Sequence, residues 1–322
     1  MSTGLRSING NPASPPYTNG PYSWGERVSF PQGLAGTSVP VVNGSNIWYV
    51  DKNISTGVTG DGTSWDTPFL TLPEAVAAAG AYDIIYMGRG YYQEADTIEI
   101  VSTQRGLKIF GPTTGGVATS NGLSSATSGA DILYINADDV EIAGITFWCL
   151  TNGKNGIDIG EDYDGYNNWI HDCCFITGVG GNTLGEYGIK VNNTDDCVGT
   201  LIENNYFSYM STAAIVSYAT RCTIRNNMIW SSSIGIDLSG HEAEGRANTA
   251  VYGNKICGRG TETSGDIGIK LAATEPTAGC LFIADNIVTN FSTNITTGKG
   301  DESIVNNGTY RDGSDFGQVD IT

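Results

Sequence analysis

Cations are scarce in this chain: 16 Lys and Arg stand against 34 Asp and Glu in 322 residues, a formal charge of −18. Phosphate backbones are held by clustered Lys and Arg, so this balance excludes an ordinary nucleic-acid partner; self-repulsion instead favours solubility. Histidine is nearly absent too, with only His171 and His241, and no two cysteines form a Cys-x-x-Cys pair. A zinc centre therefore lacks its usual ligands. Cys149, Cys173, Cys174, Cys197, Cys222, Cys257 and Cys280 are odd in number and follow no disulfide spacing. They fall within apolar segments, where a thiol serves as a small filler, as expected of a chain folded in a reducing cytoplasm. No apolar run is long enough to cross a bilayer. Residues 1–20 are rich in Ser, Asn, Pro and Gly and lack the apolar core of roughly 7 to 15 residues that marks a secretion signal. Charged residues make up only 16% while Gly numbers 44, a composition for turns and ladders rather than helices.

What the chain has is a recurrence. An apolar residue sits five positions before an aromatic residue or Ile at Ile142/Phe147, Ile170/Phe175, Ile202/Phe207, Ile224/Ile229, Val251/Ile256 and Phe282/Ile287. A short apolar-polar alternation follows each pair: Gly156-Ile157-Asp158-Ile159, Gly188-Ile189-Lys190-Val191, Ala214-Ile215-Val216, Gly235-Ile236-Asp237-Leu238, Gly268-Ile269-Lys270-Leu271 and Asn294-Ile295-Thr296. Period-two alternation bounded by Gly, Asn and Ser reads as strand. The closing residues recur about 22 to 32 positions apart, too irregular for a helical array but natural for coils with variable loops. A chain wound into a solenoid satisfies the pattern, because one coil cannot bury its apolar side without stacking on the next. Asparagines recur just before the closing residue, as Asn204-Asn205, Asn226-Asn227, Asn254 and Asn286. Asn tolerates the left-handed backbone of a sharp corner, and its amide can bond the next Asn along the stack.

The motifs Thr200-Leu-Ile-Glu-Asn-Asn-Tyr-Phe207 and Cys222-Thr-Ile-Arg-Asn-Asn-Met-Ile229, with Gly-Ile strands between them, resemble the right-handed parallel β-helix proteins of the pectin-lyase-like superfamily. Upstream, Trp48-Tyr-Val-Asp51, Gly60-Asp-Gly-Thr-Ser-Trp-Asp-Thr-Pro-Phe69, Leu72-Pro-Glu-Ala-Val-Ala-Ala-Ala79, Asp83-Ile-Ile-Tyr86 and Gly88-Arg-Gly-Tyr-Tyr-Gln-Glu94 look like the opening module of that superfamily. The resemblance covers about residues 47–310. It implies an all-β, single-stranded parallel β-helix of about nine coils at roughly 4.8 Å spacing, with a capping helix at about residues 71–79. Pro73 suits a first helical turn and Thr71 a cap, and Leu72, Val76 and Ala79 supply the face that plugs the open end. Further rungs are expected at residues 97–101, 107–110 and 132–135.

Residues 1–46 read as an extended N-terminal arm. Their Pro and Gly content cannot build a core, yet Tyr17, Tyr22, Trp24 and Phe30 are apolar anchors suited to docking on a larger assembly. Residues 311–322 form a short C-terminal tail.

For chemistry, the residue after each inward Ile points outward, giving the column Asp158, Lys190, Val216, Asp237, Lys270 and Thr296. A second column reads Ala143, His171, Glu203, Arg225, Tyr252 and Ile283. Opposite charges are neighbours in both, as cross-strand ion pairs worth about 0.2–1 kcal/mol each. An enzyme of this family would draw its acid, base and clamps from Asp158, Asp237, Lys190 and Lys270. The excursion Gly160-Glu-Asp-Tyr-Asp-Gly-Tyr-Asn-Asn-Trp169 offers Tyr163, Tyr166 and Trp169 for stacking on sugars. Its Asp162, Asp164 and Asn168 are oxygen ligands of the kind calcium takes, though without the full calcium-loop spacing. No other cofactor is implied. His241 with Glu242 or Glu244 is a smaller acid-base candidate.

Two function classes remain. One is a structural virion protein of a bacteriophage-like virus, a capsid decoration, fibre or tailspike subunit. It would be made in the host cytoplasm without a signal peptide, dock on other virion proteins through residues 1–46, and bind host surface polysaccharide. The other is a polysaccharide lyase or glycoside hydrolase. The resemblance to viral spikes implies a homotrimer; neither nucleic acid nor membrane is an expected partner.

Overall fold

The computed structural model describes residues 45–54, 57–112, 122–126, 129–150, 155–160, 165–177, 185–192, 197–230, 232–239, 248–258, 266–271, 281–296, 302–310 and 317–321. The proposed anchors Tyr17, Tyr22, Trp24 and Phe30 lie outside these residues.

The chain winds through three parallel sheets. Sheet A begins at Ile47–Val50 and continues through Ile84–Met87, Lys108–Phe110, Glu141–Ala143, Trp169–His171, Leu201–Glu203, Thr223–Arg225, Ala250–Tyr252 and Leu281–Ala284. Sheet B runs from Tyr91–Glu94 and Gly122–Ser125 through Thr146–Trp148, Cys174–Ile176, Tyr206–Ser208, Met228–Trp230 and Lys255–Cys257 to Ile287–Thr289. Sheet C has eight strands, from Ile98–Ile100 to Thr293–Ile295. The strand Glu302–Tyr310 extends both A and B, and Gly317–Ile321 lies antiparallel on its outer edge.

Like positions meet along the stack as the spacing predicts. Ile142, Ile170, Ile202, Ile224 and Val251 form one inward column. Phe147, Phe175, Phe207, Ile229 and Ile256 form another. The three phenylalanine rings are fully buried and stack at 4.9 and 4.8 Å, nearly parallel, each contact adding about 0.5–1.5 kcal/mol beyond burial. Their closeness explains the Gly of the Gly-Ile strands. A Cβ on Gly188 would sit 2.6 Å from the Phe207 ring and 2.7 Å from the Ala214 carbonyl oxygen.

The last coil is shifted by one residue from the sequence expectation. Val251 pairs with Ile283 and Ile256 with Val288, while Phe282 and Ile287 face out, 42% and 46% exposed. Consecutive apolar residues at 281–283 and 287–288 satisfy a five-residue spacing in either phase. The asparagine decides, because the inward closing residue follows Asn205, Asn227, Asn254 and Asn286 by two. The outward column correspondingly ends at Ala284, beside Tyr252, and Ile283 is buried in the core.

The corner asparagines divide their labour. Asn204 and Asn226 take positive φ, 55° in each, as do Gly253 and Asp285 in the next coils. The following residues, Asn205, Asn227, Asn254, Asn286 and Asn307, are buried and form a ladder. Asn227 Oδ1 accepts from Asn205 N at 3.0 Å, and Asn227 Nδ2 donates to the Ile202 carbonyl at 3.0 Å and to Asn254 Oδ1 at 3.0 Å. Each amide thus satisfies backbone groups the corner would strand.

Helix Leu72–Ala78 closes the start of the winding. Thr71 and Glu74 make a reciprocal capping box, and the buried Gln104 Nε2 donates to the Val76 and Ala79 carbonyls at 2.6 and 3.1 Å. Leu72, Ala75, Val76 and Ala79 are buried against the first coils. Strands Tyr91–Glu94 and Gly122–Ser125 carry little apolar alternation and were not separately expected.

Asn227→Ala strands buried donors of Asn205 and should lower stability by about 1–3 kcal/mol. Asn226→Gly, at a position whose backbone Gly adopts freely, should stay within about 0.5 kcal/mol of the parent. Urea midpoints of the two variants check this division.

Candidate functional site

Period two along Trp169–His171 sends both rings to the outer side of sheet A, with Ile170 buried between them. The rings lie 4.0 Å apart at 25°. Register supplies their neighbours: Glu141 and Ala143 one coil before, Leu201 and Glu203 one coil after. Ala143 beside His171 is small, so the imidazole Nε2 meets Glu141 Oε1 diagonally at 3.2 Å. Its Nδ1 meets Asp172 Oδ2 at 2.7 Å, and Asp172 is itself a corner residue with φ of 52°. Lys108, one coil earlier, pairs with Glu141. On the other side Trp169 Nε1 donates to Glu203 Oε1 at 3.0 Å, Arg225 Nε donates to Glu203 Oε2 at 2.6 Å, and Arg225 Nη1 donates to the Tyr252 hydroxyl at 3.0 Å. The result is one connected network from Lys108 to Tyr252, with the Trp169 indole 36% exposed at its centre.

Burial alone would favour the neutral form of His171, yet hydrogen bonds to Glu141 and Asp172 outweigh it and raise its pKa. Burial pushes the Glu141 carboxyl up, and His171 and Lys108 together pull it below its ordinary value. Both imidazole nitrogens and both Glu203 oxygens are therefore engaged within the protein. This arrangement presents a flat aromatic surface rimmed by paired charges.

The column on sheet C forms its expected pairs. Lys190 Nζ lies 3.3 Å from Asp158 Oδ2, and Lys270 Nζ lies 3.1 Å from Asp237 Oδ2. Asp158, outward by register, is nevertheless buried, holding Asn155 Nδ2 at 3.0 Å and Asn192 Nδ2. Asp237 accepts from Ser239 N and Oγ at 2.8 and 2.6 Å. Three coil steps separate Asp158 from Asp237, about 14 Å at strand spacing.

The excursion before Trp169 is only partly described, since Asp162, Tyr163 and Asp164 lie outside the described residues, as do His241, Glu242 and Glu244. Asn168, a candidate calcium ligand, is fully buried at a corner, and its Oδ1 accepts from Val140 N at 2.9 Å. That bond commits it to the backbone of the preceding coil. Tyr166 is half-buried in the turn before the strand, its N–H donating to Asp138 Oδ1 at 3.0 Å. Glu141, Asp172 and Lys108 were not singled out from sequence. Stepping two residues back from His171 and one coil down leads to Glu141.

No family model matches the chain, and no curated protein matches it. Among solved structures it is similar to tailspike protein 2 of E. coli O157:H7 bacteriophage CAB120, at 13% identity and a TM-score of 0.50, covering 84% of this chain and 35% of that one. A tailspike protein of E. coli bacteriophage HK620, solved with a pentasaccharide, aligns at 16% identity and a TM-score of 0.49 over 82% of this chain and 49% of the tailspike. Pectin methylesterase PemA of Erwinia chrysanthemi aligns at 12% identity and a TM-score of 0.47 over 83% and 90%. The chain is a right-handed parallel β-helix. This β-helix thus spans about half the length of one tailspike and a third of the other. No helix among its described residues is long and apolar enough to cross a membrane.

The raised pKa of His171 fixes the sign of a pH effect. Its contribution to stability is complete below the unfolded histidine value, near about 6.5, and is lost as pH rises through the folded value. Melting temperatures across this range should fall with rising pH in the parent β-helix and fall less in His171→Phe, which keeps a ring but not the charge.

Proposed function

We propose that this β-helix is a tailspike-type virion subunit that binds host surface polysaccharide on sheet A. It would attach to other virion proteins through residues 1–46 and assemble as a homo-oligomer, a trimer by resemblance to viral spikes. The observation that carries the reading is the exposed Trp169 indole, stacked on His171 and bonded to Glu203. A pyranose lays its C–H face on such a ring, and Lys108 and Arg225, each two coil steps from Trp169, offer donors to the sugars on either side. The saccharide-bound tailspike among the structural neighbours makes this ligand class the one to test first.

A lyase or hydrolase reading rests on Asp158, Lys190, Asp237 and Lys270. Glycosidase carboxyls stand about 5 to 9.5 Å apart, whereas these two aspartates are separated by three coil steps and are each closed in an ion pair. Calcium is not needed for the binding reading.

Binding to isolated bacterial surface polysaccharides, measured by calorimetry, should weaken at least about tenfold in Trp169→Ala, or about 1.4 kcal/mol, while the variant keeps its strand-rich circular dichroism. Equal affinity of variant and parent would remove the platform. Release of reducing ends or unsaturated sugars that stops in Asp158→Ala or Asp237→Ala would replace binding with catalysis. Removing residues 1–46 should abolish attachment to particles while leaving strand-rich circular dichroism.

A further inference from the structure

The outer side of sheet B differs in chemistry from the other two. On sheet A it carries Lys108, Glu141, His171, Glu203 and Arg225, and on sheet C Glu99, Asp158, Lys190, Asp237 and Lys270. On sheet B, from Tyr206–Ser208 to Ile287–Thr289, the only charged outward residue is Lys255. Around it stand Met228, Trp230 and Ile287, 49%, 41% and 46% exposed, with Tyr206 and Cys257 half-buried beside them. Isolated exposed apolar residues are ordinary, but a contiguous group on successive strands is the mark of a contact surface. Its content of Trp, Tyr and Met with few charges matches the centre of a protein interface.

We propose that this stripe of sheet B is where copies of this chain meet, lying side by side. Charge identifies the occupant. Two copies each carrying −18 repel wherever carboxylates face one another, and this stripe holds no carboxylate. Its one ion, Lys255, attracts the acidic surface of a neighbouring copy. Periodicity points the same way, since strands recur at about 4.8 Å and a parallel copy presents the same repeat to the stripe. The proposal deepens the oligomer part of the preceding reading and does not depend on glycan binding, which its test leaves out.

The test is sedimentation equilibrium of the full chain over about 1 to 100 μM, with hydroxyl-radical footprinting of Met228. The parent should show a mass that rises with concentration above the 34.0 kDa of one chain, with Met228 protected in the assembled form. Met228→Asp and Trp230→Asp should each weaken association at least tenfold at an unchanged melting temperature. Should either variant melt early, Lys255→Glu, exposed at the centre of the stripe, should weaken association by the same factor without touching the core. A 34.0 kDa parent with Met228 accessible would overturn the proposal, and so would assembly that survives all three substitutions. A 34.0 kDa parent with Met228 protected would also overturn it, assigning the stripe to another segment of the same chain such as residues 1–44.

Discussion

Every part of the β-helix depends on one constraint: each coil must place its backbone directly over the last, so that strand pairing and side-chain columns share a single repeat. Backbone bonds alone permit slippage, because short strands of three residues offer few contacts to fix their phase. The asparagine ladder supplies the missing specification. An amide that accepts from the coil before and donates to the coil after fits only one alignment, and its burial makes misalignment costly. The stacked Phe147, Phe175 and Phe207 rings and the glycines that make room for them reinforce the same phase from inside.

Stacking also converts sequence neighbours into surface chemistry. Trp169 and His171 are two residues apart, but their partners Lys108, Glu141, Glu203, Arg225 and Tyr252 come from coils on either side. No loop need be ordered to bring them together. The network is consequently as rigid as the sheet that bears it.

The fold was largely legible because the inward columns repeat with their corner asparagines attached. Where apolar residues were consecutive, as at 281–283, periodicity lost its power to tell inside from outside, and the buried Asn286 carried the phase instead. The strand Gly122–Ser125 was hidden for the opposite reason: its residues carry almost no apolar signal and are held by the strands beside them. The site was legible in part. The alternating charges of the outward columns anticipated the pairs of Lys190 and Lys270, and of Glu203 with Arg225. The bond from His171 to Glu141 crosses diagonally between columns, a relation that reading one column at a time does not show. The burial of Asp158 depends on Asn155 and Asn192 closing over it, which strand alternation does not encode.

The final strand Glu302–Tyr310 is followed by one that runs the opposite way. A pile of identical layers has no intrinsic end, and an uncovered terminal layer would offer a template for the first layer of the next molecule. Reversing direction at that point substitutes a ladder of a different geometry for the one an incoming coil would need. Helix Leu72–Ala78 shields the opposite extremity, so each end of the described stack is covered by an element of a different geometry from the coils between them.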